Sequence, residues 1–122
     1  MNERQLTDSA IDDVNAILDA LNDADCRRIL ATTQTEPMCV AELSKRCSIP
    51  LSTAYRKVDD LSVRGLLDEH VLLQSNGKHV SMYEASISGV SISIADDGLE
   101  IEVVNSKPSN WSDEIALGAN VS

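Results

Sequence analysis

The residues best equipped for chemistry lie in one short run: Ser52, Thr53, Tyr55, Arg56 and Lys57. Between them recur Leu51, Ala54, Val58 and Leu61 at helical spacing, so the apolar residues share one face of a helix and the polar ones look outward. Ser52, Thr53, Arg56 and Lys57 occupy that outward face, with Tyr55 between the faces. Hydroxyls and cations near the start of a helix suit phosphate oxygens and base edges in a major groove. Arg56 adds a planar pair of donors that matches the O6/N7 edge of guanine, while Asp60, a turn later, discourages deeper contact. A second polar group, Asn76, Lys78 and His79, surrounds Gly77 between two strand-like runs. The bland alternative for both groups is an ordinary solvated surface.

The elements that must position these residues follow from the flanking pattern. Val40, Leu43 and Cys47 share one face of a first helix, Ser48-Ile49-Pro50 forms a turn, and the Leu51 helix follows. Two amphipathic helices joined by so short a turn form a helix-turn-helix. Gly65 ends the second helix, as glycine commonly does at a C-terminal cap. Leu67 to Gln74 then reads as a strand, Ser75-Asn76-Gly77-Lys78 as a turn, and His79 to Ala85 as the returning strand. A helix-turn-helix followed by a hairpin is a winged helix. Its tip residues Asn76, Lys78 and His79 are expected where a wing meets the DNA backbone or minor groove.

Here the chain resembles a known family. Leu21-Asn22-Asp23-Ala24-Asp25-Cys26-Arg27-Arg28-Ile29-Leu30 is similar to the opening helix of ArsR-like winged-helix regulators. Val40-Ala41-Glu42-Leu43, Ser52-Thr53-Ala54-Tyr55-Arg56-Lys57-Val58 and Gly65-Leu66-Leu67 continue the match in order. With its acidity, the chain is most similar to the small haloarchaeal members. The resemblance covers about residues 10–86. It implies a dimeric transcription regulator whose recognition helix carries Ser52, Thr53, Tyr55, Arg56 and Lys57, and a first helix that contributes to the dimer interface.

The remaining segments frame this unit. Residues 1–9 are polar and are expected to form a flexible N-terminus. Thr7 or Asp8 is a candidate cap for a helix from about Ala10 to Leu21, striped by Ile11, Val14, Ile17, Leu18 and Leu21. Asp23 or Asp25 caps the next helix, with Cys26, Ile29 and Leu30 inward. Arg27 and Arg28 face outward, to phosphate or to nearby acids; the sequence leaves both open. The span 10–86 is thus the winged helix-turn-helix domain. Residues 87–104 read as an additional β-hairpin packing on the domain or dimer, with Asp97-Gly98 as a two-residue loop, Ile94 opposite Ile101 and Ile92 opposite Val103. Residues 105–122 read as a linker containing Pro108 and a short tail in which Trp111, Ile115 and Leu117 dock. The expected class is α+β: three to four helices, a wing and an extra hairpin.

Composition sets the bounds. A chain of 122 residues with 43% hydrophobic content supports one domain with a modest core. Its aromatics are only Tyr55, Tyr83 and Trp111, so Ile, Leu, Val and Ala must fill the interior. No apolar run approaches the ~20 residues needed to span a bilayer, and no secretory signal is visible, so a cytoplasmic protein without membrane contact is expected. Net charge is −10, which opposes binding to phosphate. The distribution relieves the conflict: residues 27–64 hold seven cations against four acids, a local +3, leaving −13 elsewhere. Excess acid with few lysines fits a halophilic protein in concentrated salt, where charge is screened; the resemblance to haloarchaeal members implies an archaeal one. An acidic protein that binds a basic partner is the alternative.

Cys39 falls at the N-cap of the Val40 helix, where the helix terminus favours thiolate, and is a candidate redox sensor or a stand-in for serine. Cys26 and Cys47 sit on apolar faces and read as core. Three cysteines without a Cys-x-x-Cys, and two histidines, His70 and His79, that could meet across the wing, make no ready metal site. No cofactor is implied. No nucleophile, paired-acid or phosphate-cradling pattern suggests an enzyme. The residues together point to a homodimeric, sequence-specific regulator of double-stranded DNA. The rival is a winged helix repurposed for protein–protein contact.

Overall fold

The computed structural model describes residues 3–7, 11–96 and 98–105. Its elements run β1 (Glu3–Thr7), α1 (Ile11–Leu21), α2 (Ala24–Thr35), α3 (Val40–Cys47), α4 (Leu51–Val63), β2 (Leu67–Leu73), β3 (His79–Ala85), β4 (Ile87–Ala95) and β5 (Gly98–Asn105). The helices pack around Ile29, Leu43, Val58 and Leu61, each almost wholly removed from water. Burying such side chains stabilises by about 1.5–3 kcal/mol apiece before chain entropy is set against it. Val14, Ile17, Cys26, Ala54 and Cys47 join the same core. The class is α+β and the arrangement a winged helix-turn-helix.

Local chemistry fixes the ends of these helices. Asp23 caps α2 by accepting a 3.0 Å hydrogen bond from the Cys26 N–H. The turn between α3 and α4 is built on Ser48, whose φ of 56° is left-handed. Its N–H bonds to the Lys45 carbonyl and that of Ile49 to the Ser44 carbonyl, the paired bonds of a Schellman motif. At the end of α4 the same motif recurs with glycine: Gly65 at φ 80°, bonds from Gly65 to Ser62 and from Leu66 to Leu61. This reversal points the chain into β2.

The wing is the antiparallel pair β2–β3, with Leu67 opposite Ala85 and Leu73 opposite His79. At its tip the Gln74 N–H donates to the Lys78 carbonyl and the Gly77 N–H to the Gln74 carbonyl. Gly77 has φ 84°. Turn, left-handed glycine and closing pair make a three-residue hairpin loop with a bulge at the glycine. The wing is tied back to the helices by a two-bond bridge, Met38 N–H to Tyr83 carbonyl and Tyr83 N–H to Met38 carbonyl.

Two features depart from expectation. Glu3–Thr7, expected to be flexible, is a strand: β1 pairs antiparallel with β5, Glu3 opposite Val104 and Thr7 opposite Glu100. The unsatisfied backbone edge of β5 outweighs the polar, weakly patterned sequence. Second, the hairpin register differs by two residues from the one that an Asp97-Gly98 loop predicts. Ile94 lies opposite Leu99, Ile92 opposite Ile101 and Val90 opposite Val103. The expected register strands Leu99 against Asp96 and Val90 against Asn105; the observed one gives both an apolar partner. A shift of two preserves the faces. Ile101 and Val103 are fully buried in the core, so this three-stranded sheet, ordered β1-β5-β4, covers the helical unit.

The cap expected at Asp8, the helix start at Ala10, and the Pro108, Trp111, Ile115 and Leu117 segment lie outside the described residues; Thr7 belongs to β1.

Candidate nucleic-acid interface

Helix α4 presents its polar face as the sequence predicts, with one exception. Ser52 and Arg56 are exposed, Thr53 is half-buried and Tyr55 is 58% exposed. Leu51 is also exposed, giving the start of the face an apolar contact point. Pro50 is the N-cap and offers no side-chain hydrogen bond, and no acid lies in the first turn. The first N–H groups of α4 are therefore left without a side-chain acceptor, and the positive end of the helix dipole faces outward uncompensated.

Lys57 is the exception. Its ammonium turns back to the Asp23 carboxylate at the start of α2, and its side chain is only 16% exposed against 31% for Asp23. The hydrogen bond from Lys57, then that from the Cys26 N–H, holds the Asp23 carboxyl below its ordinary value of 3.8. The same bond raises Lys57 above 10.5. One carboxylate thus caps α2 and ties it to α4. The sequence reading identified each residue's separate potential, cap and cation, but helical periodicity carries no signal for a pair 34 positions apart.

The basic segment is more heavily engaged than its count suggests. Arg28 donates to the Cys47 carbonyl at 2.8 Å and lies 3.9 Å from Asp25. Arg46 bridges Glu42 and Glu36. Arg64 pairs with Asp60 and donates to the Ala16 carbonyl, while Arg27 donates to the Leu21 carbonyl. Among the described residues Lys45, Arg56 and Lys78 make no ion pair. Asp60, held to Arg64, is partly neutralised beside the polar face of α4.

At the wing tip Asn76, Lys78 and His79 are all exposed, and the Asn76 side chain accepts a 2.9 Å bond from the Lys78 N–H. Asn76 therefore shapes the loop that holds Lys78. His79 faces Leu73 and His70 faces Met82, so the two histidines do not meet across the hairpin; His70 lies 3.5 Å from Glu84. No group of three metal-ligating side chains occurs among the described residues. Within the wing, burial and the nearby Glu69 raise the Tyr83 hydroxyl above its ordinary value, and Ser81 donates to Glu69 at 2.6 Å.

Cys39 is the half-buried N-cap of α3 and makes no side-chain cap bond. Glu42, three residues on, pairs with Arg46. Cys26 and Cys47 are buried, and desolvation, reinforced by the Asp23 charge, pushes the Cys26 thiol up to about 11.

No described helix is long and apolar enough to cross a membrane. No protein-family model matches the chain, and no curated protein matches it. Solved structures do. Over 63% of this chain and 67% of the other, at 18% identity and a TM-score of 0.53, it is similar to the homodimeric winged helix-turn-helix DNA-binding domain of a possible ArsR-family transcriptional regulator from Mycobacterium bovis. NolR from Sinorhizobium fredii aligns over 64% of this chain and 73% of its own at 17% identity, with a TM-score of 0.54. At such identities the likeness is one of fold: the chain is a winged helix-turn-helix protein.

Proposed function

We propose that this chain is a sequence-specific, double-stranded-DNA-binding transcription regulator that acts as a homodimer, with a repressor favoured over an activator. The observation that carries the reading is the exposed face of α4. Ser52, Tyr55 and the unpaired Arg56 stand beside a helix start that no side chain or acid occupies. Arg56 is assigned a base contact, Ser52, Thr53 and Tyr55 bases or phosphate, and Lys78 and His79 phosphate at the wing. Lys57, expected on the outward face from the sequence, is assigned here to holding α4 on α2. The DNA-binding or homodimeric character stated for the Mycobacterium bovis domain supports the same assignment. Residues 10–86 form the DNA-binding unit and 87–104 its added hairpin. The reading implies a cytoplasmic, non-enzymatic protein. An acidic body of −10 net charge fits a haloarchaeal source, where concentrated salt screens repulsion from DNA.

The test is fluorescence anisotropy against fragmented genomic DNA across a salt series reaching molar concentration. Selective binding that weakens in Arg56→Ala is expected. Binding to no fragment at any salt overturns the reading in favour of a protein-interaction module.

A further inference from the structure

Strand β4 forms the outer edge of the β1-β5-β4 sheet, and among the described residues no strand lies beyond it. Exposed sheet edges are commonly guarded by lysine, proline or an inward charge. Ile87–Ala95 has none of these: its sequence, ISGVSISIA, holds no charged residue in a chain that is one-quarter charged, and its register shift, another device that can blunt an edge, lies between Ile87 and Gly89 and leaves Val90–Ala95 regular. It also exposes large apolar side chains, Ile92 at 53% and Ile94 at 82%, although their partner strand is anchored in the core by Ile101 and Val103.

The segment is self-complementary. Val90, Ile92 and Ile94 share one face and Ser91 and Ser93 the other. Antiparallel pairing of two copies about Ile92 sets Ile92 opposite Ile92, Val90 opposite Ile94 and Ser91 opposite Ser93. Asp96, where the charge resumes, then falls opposite Ser88 and not another acid. Such symmetry is what a two-fold interface requires, since one patch must serve both partners. An unrelated partner requires no such symmetry. Beside Val90, on the same strand, lies an open cleft of about 450 Å³ lined by Leu21, Leu30, Ala31, Ile87 and Val90 among others. The pairing brings Ile94 of one copy, the most exposed large apolar side chain among the described residues, to the mouth of the other's cleft.

We infer that β4 is a dimerisation edge: two copies of this chain pair β4 to β4 about Ile92, making a continuous six-stranded sheet in which each Ile94 enters the partner's cleft. The inference rests on the homodimer reading and names its interface. The charge pattern supports it, because two bodies of −10 meet most easily along their uncharged strand.

Sedimentation equilibrium and directed cross-linking test it. Ile92→Cys in a Cys39→Ser background places two thiols opposite each other at strand-pair distance, within disulfide reach. Mild oxidation is expected to convert it to a covalent dimer, whereas Val63→Cys, on α4 and more exposed than Ile92, stays uncross-linked. Ile94→Asp, at a site the monomer core does not use, is expected to weaken dimerisation at least tenfold with an unchanged circular-dichroism melt of the monomer. A wild-type dimer indifferent to both β4 substitutions overturns the interface and leaves the homodimer reading intact. A wild-type monomer at hundreds of micromolar overturns both. A monomer that dimerises only when residues 106–122 are removed assigns this face to that segment and also overturns the proposal.

Discussion

Replacing Asp23 separates two contributions that a single carboxylate makes. One oxygen accepts the Cys26 N–H at 3.0 Å and the other holds Lys57. Losing an N-cap costs about 1 kcal/mol. The ion pair is partly screened, with its two side chains 16% and 31% exposed, so it contributes roughly 0.5–1 kcal/mol. Asp23→Ala removes both and is expected to destabilise by about 1.5–2 kcal/mol. Asp23→Asn keeps the cap acceptor and loses only the pair, about 0.5–1 kcal/mol. For a chain of this length each kcal/mol moves Tm by roughly 3–6 °C, so calorimetry resolves the two variants. A double-mutant cycle with Lys57→Met isolates the coupling. The pH dependence follows the same pair. Because the folded Asp23 carboxyl lies below 3.8, its contribution is fully present above the unfolded value and is lost as pH falls through the folded one. Asp23→Asn should flatten that part of the acid profile. Equal losses in Asp23→Ala and Asp23→Asn, or strictly additive effects with Lys57→Met, refute the reasoning.

Other consequences are as specific. Arg56→Ala should cost about 1–3 kcal/mol of operator affinity and relax the preference at one base pair, read by anisotropy on a panel of single-base variants. In Asp23→Asn the released Lys57 should steepen the salt dependence of DNA binding by about one phosphate equivalent. Ser48→Gly relieves a left-handed serine, a gain of about 1–2 kcal/mol offset by the entropy of glycine, so denaturant melts should show a net rise of about 0.5–1 kcal/mol. Thiol labelling of the native protein at pH 8 should leave Cys26 untouched, since its thiol titrates at about 11. If mild oxidant modifies Cys39 no sooner than the buried thiols by mass spectrometry, the sensor reading of Cys39 fails.

What was legible in the sequence was whatever repeats within one or two helical turns. The boundaries of α3, the turn at Ser48-Ile49-Pro50, the cap at Asp23 and the wing around Asn76-Gly77 all rest on local periodicity or turn chemistry. The misses were long-range. Nothing in Glu3–Thr7 marks it as a strand, because its partner β5 supplies the reason and lies at the far end of the chain. The hairpin register turned on whether Gly98 belongs to the turn or the ladder; pairing of Val90 and Leu99 decided it. On the polar face of α4, periodicity placed Ser52 and Arg56 outward, but set Tyr55 between the faces where the structure exposes it, and gave no sign of the fold-back of Lys57 onto α2.

The pairing of β1 with β5 has a consequence for how the molecule comes into being. Glu3 meets Val104, so β1 cannot find its place beside the central strand until the hundred residues between them have been made. The helices and the wing close through contacts of shorter sequence separation, such as Asp23 to Lys57 and Met38 to Tyr83, whereas this ladder closes the longest loop among the described residues. Contacts of such high sequence separation are slow to form. Strand β1 must therefore wait through synthesis, and a ribosome-bound chain halted before β5 will hold Glu3–Thr7 still unpaired and a helical core still lacking Ile101 and Val103.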